Sequence, residues 1–257
     1  MGALQVLDRP LKLSVNTVAR TVKAERLGQL HLTIAPESMW FPRDEDFQAN
    51  QMARDELARA GGIDGRGRVD ADMVAVLAML CTPRAEFYGW ISHQKKTAGV
   101  LVAVSGRTAL LVMRDEGMVT IAPANPDAPA EALVAQTPDV PPGRGHMITV
   151  FTEDVRNSAG GRQRTASGVG TRQAPPEVRE LQRITELPTS GGGQLYTAVR
   201  DHTGRRIAVQ QPLRYADTVQ GRYLNLSLPG DRVMVGPADR RALSGRIYEM
   251  HRGLIPR

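Results

Sequence analysis

The chain has one cysteine, Cys81, so it can build neither an intrachain disulfide framework nor a cysteine-based zinc site. That usage fits a reducing, cytosolic compartment. Aromatic residues are almost as scarce, with two Trp, five Tyr and four Phe among 257 residues, so a core must come from Val, Leu, Ile, Ala and Met. No apolar run reaches the roughly 18 residues that cross a bilayer, and no membrane insertion is expected. The opening MGALQVLDRPLKL lacks the basic and apolar regions of a secretory signal, and Val6 stands where a myristoylation site needs Ser or Thr. Acidic residues number 27 against 33 basic ones, a net charge of +6. The excess is mostly arginine and scattered, which reads as compositional bias before it reads as a nucleic-acid footprint.

Catalytic patterns are missing too. His31, His93, His146, His202 and His251 show no metal-ligand spacing, and each is expected on a surface turn or strand end. Ser92-His93-Gln94-Lys95 matches Ser-x-x-Lys but straddles a hairpin instead of opening a helix. Gly168-Val169-Gly170 follows no strand and lacks the third glycine of a dinucleotide loop. There is no phosphate loop and no Gly-x-Ser-x-Gly elbow. In IDGRGRVD, Arg66 and Arg68 replace the alternating acids of a calcium loop, so Asp64 and Asp70 read as turn and cap residues. Cys81, inside MVAVLAMLC, reads as a small core residue. No catalytic residue, cofactor or metal is expected.

What is present is a regular alternation of periods. Leu-Lys-Leu at 11–13 is a short strand. Ser14 caps a helix with Val15, Val18, Ala19 and Val22 on one face, running to near Gly28. Residues 44–60 are a helix with acids in its first turn and Gly61-Gly62 at its end. Residues 70–80 are a nearly all-apolar helix closed by Thr82-Pro83. The period then changes to that of strands over 85–93, 98–104, 108–113 and 117–122, an antiparallel meander broken by Pro123. A short helix follows over 127–136.

Residues 138–145 are a linker, and 146–152 a strand. Residues 156–175, rich in Gly, Arg, Ser and Thr, are expected to be a mobile loop. A helix runs from Pro176 to about Leu187, and Ser190–Gly193 is a flexible break. A second meander spans 194–200, 205–210, 213–219, 222–228 and 232–235, and Pro237 opens the last helix. The two halves, 1–137 and 138–257, repeat the order strand, helix, meander, proline, helix. The expected fold is α+β: one compact domain with a central antiparallel sheet, pseudo-twofold symmetric halves and flanking helical bundles.

Three features stand apart. Arg156, Arg162, Arg164 and Arg172 sit in the basic loop and could meet phosphates, but no aromatic accompanies them, and a solvated loop is the favoured reading. Trp40-Phe41-Pro42 is an aromatic cluster between helices, either a contact surface or a staple under a loop. The stretch LRYADTVQGRYLNLSLPGDRVMVGPADRRALSGRIYEMHR pairs two strand-like runs, one ending in Asp217-Thr218 and one opening with Gly221-Arg222-Tyr223, before a Gly-Pro break and a helix. It carries no acid, base or nucleophile cluster.

The segment DELARAGGIDGRGRVDADMVAVLAML, with Gly-x-x-Asp-x-x-Gly-x-x-Asp-x-x-Met and then Leu-x-x-Leu, together with ADTVQGRYLNLS and VGPADRRAL, resembles the EspG family, cytosolic chaperones of type VII (ESX) secretion in mycobacteria and related actinobacteria. The resemblance spans nearly the whole chain. It implies a central sheet with pseudo-twofold symmetry, no enzymatic activity, and binding of the PPE partner of a PE–PPE dimer, or another helical secretion substrate, at the client's apolar tip. By the same resemblance the hairpin around 92–97 and the last helix face the client. That makes His93, Gln94, Lys95 and Lys96 rim candidates and Leu243, Ile247 and Met250 candidates on the helix. Core packing is the favoured alternative for those last three. Exposed meander edges also allow a homodimer. A basic nucleic-acid-associated protein using Arg156, Arg162 and Arg164 is the rival reading.

Overall fold

The computed structural model describes residue 7 and residues 9–36, 43–159 and 174–255. Trp40-Phe41-Pro42, Gly168-Val169-Gly170, Arg162, Arg164 and Arg172 lie outside them. The elements run β1 (Leu11–Ser14), α1 (Val15–Ala24), α2 (Arg43–Arg59), α3 (Ala71–Cys81), β2 (Ala85–His93), β3 (Lys96–Ser105), β4 (Thr108–Asp115), β5 (Met118–Ala124) and α4 (Pro129–Val134). The second half supplies β6 (Ile148–Phe151), α5 (Thr152–Ala159), α6 (Pro176–Thr185), β7 (Thr189–Arg200), β8 (Arg206–Ala208), β9 (Leu213–Thr218), β10 (Gly221–Leu228), β11 (Arg232–Pro237) and α7 (Arg240–Arg252).

Among the described residues one antiparallel sheet has the order β1-β5-β4-β3-β2-β7-β9-β10-β11-β6, with β8 beside β7. The order is symmetric about the β2–β7 pair. On each side a meander runs outward and ends on the short strand that opened its half. The strand order thus repeats across the centre as the duplicated element order predicts.

Alternation along each strand sends side chains to two faces. One face packs under α4 and α7, where Phe87, Ile91, Val100, Val102, Leu195, Leu213, Leu224, Leu133 and Leu243 form a core. The other is covered in two separate places. At the first-half end, Val18, Val22, Leu77 and Leu80 close over Leu101, Val112 and Ile121. At the second-half end, Val178, Leu181 and Ile184 of α6 close over Ile148, Val150, Tyr223 and Val235.

Local chemistry sets the helix starts. The Ser14 hydroxyl accepts from the Thr17 amide, and Glu56 of α2 accepts from the Ser14 amide and hydroxyl, both at 2.7 Å, and from Thr17. Burial disfavours the Glu56 carboxylate, but these bonds hold its pKa below the ordinary value. Asp70 caps α3 through the Asp72 amide, and Asp64 accepts from the Arg66 and Arg68 amides, the turn and cap roles expected of both. Cys81 is buried, its thiol pushed up to about 11 by desolvation.

Several sequence expectations need correction. Ser190–Gly193 is no break but the start of β7, paired on both sides, Gly191 with His93 and Asp217. A Cβ would come within 2.5 Å of the Ser92 carbonyl oxygen at Gly191 and within 2.6 Å of the Trp90 carbonyl oxygen at Gly193. The glycines permit close backbone approach; they do not confer mobility here. Pro123 lies inside β5 opposite Leu110, past the last β1 partner at Ile121, so no neighbouring strand needs the amide hydrogen it lacks. Pro237 ends β11 opposite Tyr223, and Asp239 caps α7. α1 stops at Ala24, and α5 carries the chain as helix through Arg156 to Ala159. His31 is not on the surface. It is 7% exposed and lies 3.4 Å from the Glu86 carboxylate.

Candidate partner-binding site

Between the two helical covers, among the described residues, part of one sheet face stays open. Strand register puts Arg114, Gly99, Trp90, Gln194, Arg214 and Asn225 side by side across β4, β3, β2, β7, β9 and β10. They form one transverse line on the face between α1 and α6, open among the described residues from Trp90 to Asn225 and crossed at Gly99 by the segment around Thr33. Two adjoining depressions share Trp90. One, of about 550 Å³, reaches Asn16, Thr33 and Arg114; the other, of about 480 Å³, reaches Arg214, Asn225 and Ile184. At Gly99 the chain crosses overhead, because a Cβ there would lie 2.0 Å from the Thr33 carbonyl oxygen. Arg114 donates to the Ala35 carbonyl and holds that crossing segment down.

A stack of rings beneath positions Trp90. Tyr196 meets it edge-on with centroids 5.9 Å apart, Tyr88 stacks on Tyr196 at 5.3 Å, and His31 meets Tyr88 at 4.5 Å. The stack ends on Glu86, 1% exposed, which accepts from Arg206 Nε at 2.7 Å and lies 3.7 Å from Arg200. Arg206 also donates to the Tyr88 hydroxyl at 3.1 Å. Burial works against the Glu86 charge, but the neighbouring His31 and Arg206 win and hold its pKa below the ordinary carboxylate value. The cluster is structural: an ion-paired root under an aromatic column.

The floor is polar around one large ring. Gln194 accepts from the Tyr196 hydroxyl at 2.9 Å, and the Ser92 and Thr97 hydroxyls meet at 2.7 Å. Arg214 is exposed and forms no ion pair among the described residues.

The hairpin singled out in the sequence lies beside the middle of this line, where β2 runs on past Trp90 to His93 at one end of the strands. His93, Gln94, Lys95 and Lys96 are all exposed. Gln94 and Lys95 take positive φ, 48° and 67°, as a two-residue turn of this hand demands. The Lys96 ammonium lies 3.2 Å from Glu116 on the next turn, while the Gln94 amide donates to the Ser190 carbonyl at 3.4 Å. The β9–β10 turn lies at the same end of the sheet, and its Val219 is 72% exposed. Leu243 and Ile247, on the buried face of α7, are each 0% exposed and belong to the core. Met250 is half-buried against the same core.

The Asp217–Tyr223 element serves the fold. Arg222 and Asp217 are both 0% exposed and paired at 2.6 Å. Arg222 also donates to Thr137 Oγ1 at 3.0 Å and the Pro138 carbonyl at 2.8 Å, and its guanidinium lies 4.7 Å from the Tyr215 ring centroid. Gly221, at φ 106°, lets the linker pass, since a Cβ would sit 2.7 Å from the Pro142 carbonyl oxygen. The Tyr223 hydroxyl accepts from the Arg144 amide and donates to its carbonyl, both at 3.0 Å. The motif therefore clamps the linker joining the halves.

The EspG family profile matches residues 14–249. This chain belongs to the EspG family. A solved structure is also similar over its length, that of the Mycobacterium tuberculosis type VII secretion system chaperone EspG5 in complex with a PE25-PPE41 dimer. It is 12% identical, with a TM-score of 0.67, covering 96% of this chain and 97% of that one. Among curated proteins none matches the chain. The described residues hold no helix long and apolar enough to cross a membrane and no group of three or more His, Cys, Asp or Glu poised for a metal. Trp90, Gln194, Arg214 and Asn225 escaped the sequence reading. Each lies in a recognised strand, but nothing local says which strands are neighbours.

Proposed function

We propose that this EspG-family protein is a non-enzymatic type VII secretion chaperone acting in the cytoplasm, and that its open sheet face receives the tip of a helical, PPE-like client. One observation carries the reading: among the described residues the register line from Trp90 to Asn225 lies uncovered between two helical covers. A half-buried Trp ringed by polar groups has the anatomy of an interface centre, an aromatic anchor with a polar rim. The hairpin His93, Gln94, Lys95 and Lys96 supplies the outer rim, and Val219 an apolar contact at the same end. The EspG5 complex with a PE–PPE dimer supports the client class. The protein works by covering apolar client surface, with no bond made or broken.

The test is co-expression with a PPE-like protein and its PE partner from the same genome, read as a ternary peak in size-exclusion chromatography. The peak is expected with the wild type and lost in the Trp90→Ala, Arg214→Glu double variant while circular dichroism shows that variant still folded. A ternary peak that survives the double variant removes the open face from the reading.

A further inference from the structure

The opposite end of the sheet differs in chemistry. There the segment before β2, the β3–β4 turn and the β7–β8 turn meet. The Arg84 amide donates to the Val104 carbonyl at 2.9 Å and to Ser105 Oγ at 3.2 Å. Its carbonyl accepts from the Arg200 amide at 2.8 Å, and its Nη1 reaches the Asp201 carbonyl at 3.4 Å. Three loops are thus bonded into one platform carrying Arg84, Arg107, Arg200, Arg205 and Arg206.

The acids in those loops and beneath them are committed. Glu86 is buried under Arg200 and Arg206. Asp201 Oδ1 accepts from the Thr203 amide and hydroxyl and the Arg205 amide, closing its own turn. Arg84, Arg107 and Arg205 are exposed, and among the described residues none of them has a carboxylate partner.

We propose that this arginine platform is a second interaction surface, and that it binds an acidic, extended segment of a protein partner through bidentate guanidinium–carboxylate pairs. The spacing fits that occupant. Arg107 and Arg205 lie on turns three strand intervals apart, about 14 Å at ~4.8 Å per strand. Carboxylates at i, i+2 and i+4 of an extended chain cover about 13 Å on one side, at ~3.3 Å per residue. Planar forks held on rigid turns match carboxylates better than point charges do. A single-stranded nucleic acid fits less well. It wants aromatic platforms, and the only ring in the 200–206 turn is that of His202. With β2 nine residues long, roughly 30 Å separates this end from the client hairpin, so both partners fit at once.

The probe is a fluorescent peptide with glutamates at alternate positions, titrated by anisotropy at low salt. The expected result is saturable binding that weakens with salt. The Arg84→Glu, Arg107→Glu, Arg205→Glu triple variant should weaken it at least tenfold, and the matching triple lysine variant by an intermediate factor. Single Arg107→Glu and Arg205→Glu variants, at exposed turn tips, keep the test available should the triple variant unfold, and each should weaken binding severalfold. Peptide binding unaffected by these changes overturns the proposal. A single-stranded oligonucleotide or an anionic vesicle that competes as well as the peptide at equal charge also overturns it.

Discussion

The two faces of the β9–β10 hairpin use the same residue type for opposite ends. On one face Arg222 is fully buried and places its donors on Asp217, Thr137 and the Pro138 carbonyl. On the other, Arg214 stands exposed beside Gln194 and Asn225. Strand alternation alone separates them. Arg222 must stay paired because an uncompensated buried charge is costly, whereas Arg214 is screened by water and free to meet a partner. The conspicuous motif residue holds the halves together, and the inconspicuous one faces the surface where recognition is proposed.

The largest expected effect breaks the buried side. Arg222→Ala strands the Asp217 carboxylate and should cost about 3–5 kcal/mol, read by chemical denaturation. Unfolding unchanged within about 1 kcal/mol would show that the linker clamp is dispensable. Next comes Gly221→Val, which forces a β-branched residue into positive φ against the Pro142 carbonyl. A cost of about 2 kcal/mol or more is expected, and a wild-type melting temperature would contradict the clamp geometry.

The third concerns Glu86, the root of the ring stack. Its folded pKa lies below its ordinary value of 4.5, so as pH falls the unfolded state takes up the proton first. The stabilisation it gives is complete above about pH 4.5 and lost as pH falls through its folded pKa. Glu86→Gln should therefore melt lower at neutral pH with a flatter acid limb. Parallel limbs in the two proteins would assign acid sensitivity to other groups. Arg214→Glu, on the exposed side, should leave stability within about 0.5 kcal/mol while removing client co-elution.

The smallest effect is expected at Tyr215, whose hydroxyl is buried without a hydrogen-bond partner among the described residues. Burial raises its pKa. Tyr215→Phe removes an unsatisfied polar group and should be neutral or stabilising by up to about 1 kcal/mol. A clear loss would reveal a bond to that hydroxyl.

Much of this was legible along the chain. Ser14 and Asp70 announced their helices because a cap is local chemistry, and the meanders followed from period-two patterning. The reading failed where a residue answers to something distant in sequence. Gly191–Gly193 looked like a hinge, yet those glycines admit the backbones of β2 and β9. His31 looked like a surface turn residue, yet it lies against Glu86, 55 positions away. Leu243 and Ile247 had the helical spacing of core residues, and the structure places them in the core.

By itself the sequence determined most of the element types, the repeated order of the two halves and the EspG membership, because periodicity, capping and motif spacing are properties of neighbours along the chain. Tertiary structure alone decided that β2 pairs with β7. That pairing aligns Trp90 with Gln194, and through β9 with Arg214, and gathers Arg84, Arg107 and Arg205 at the far end. Strand partnership is fixed by packing and hydrogen bonding between segments about a hundred residues apart, and short-range patterning carries no record of it.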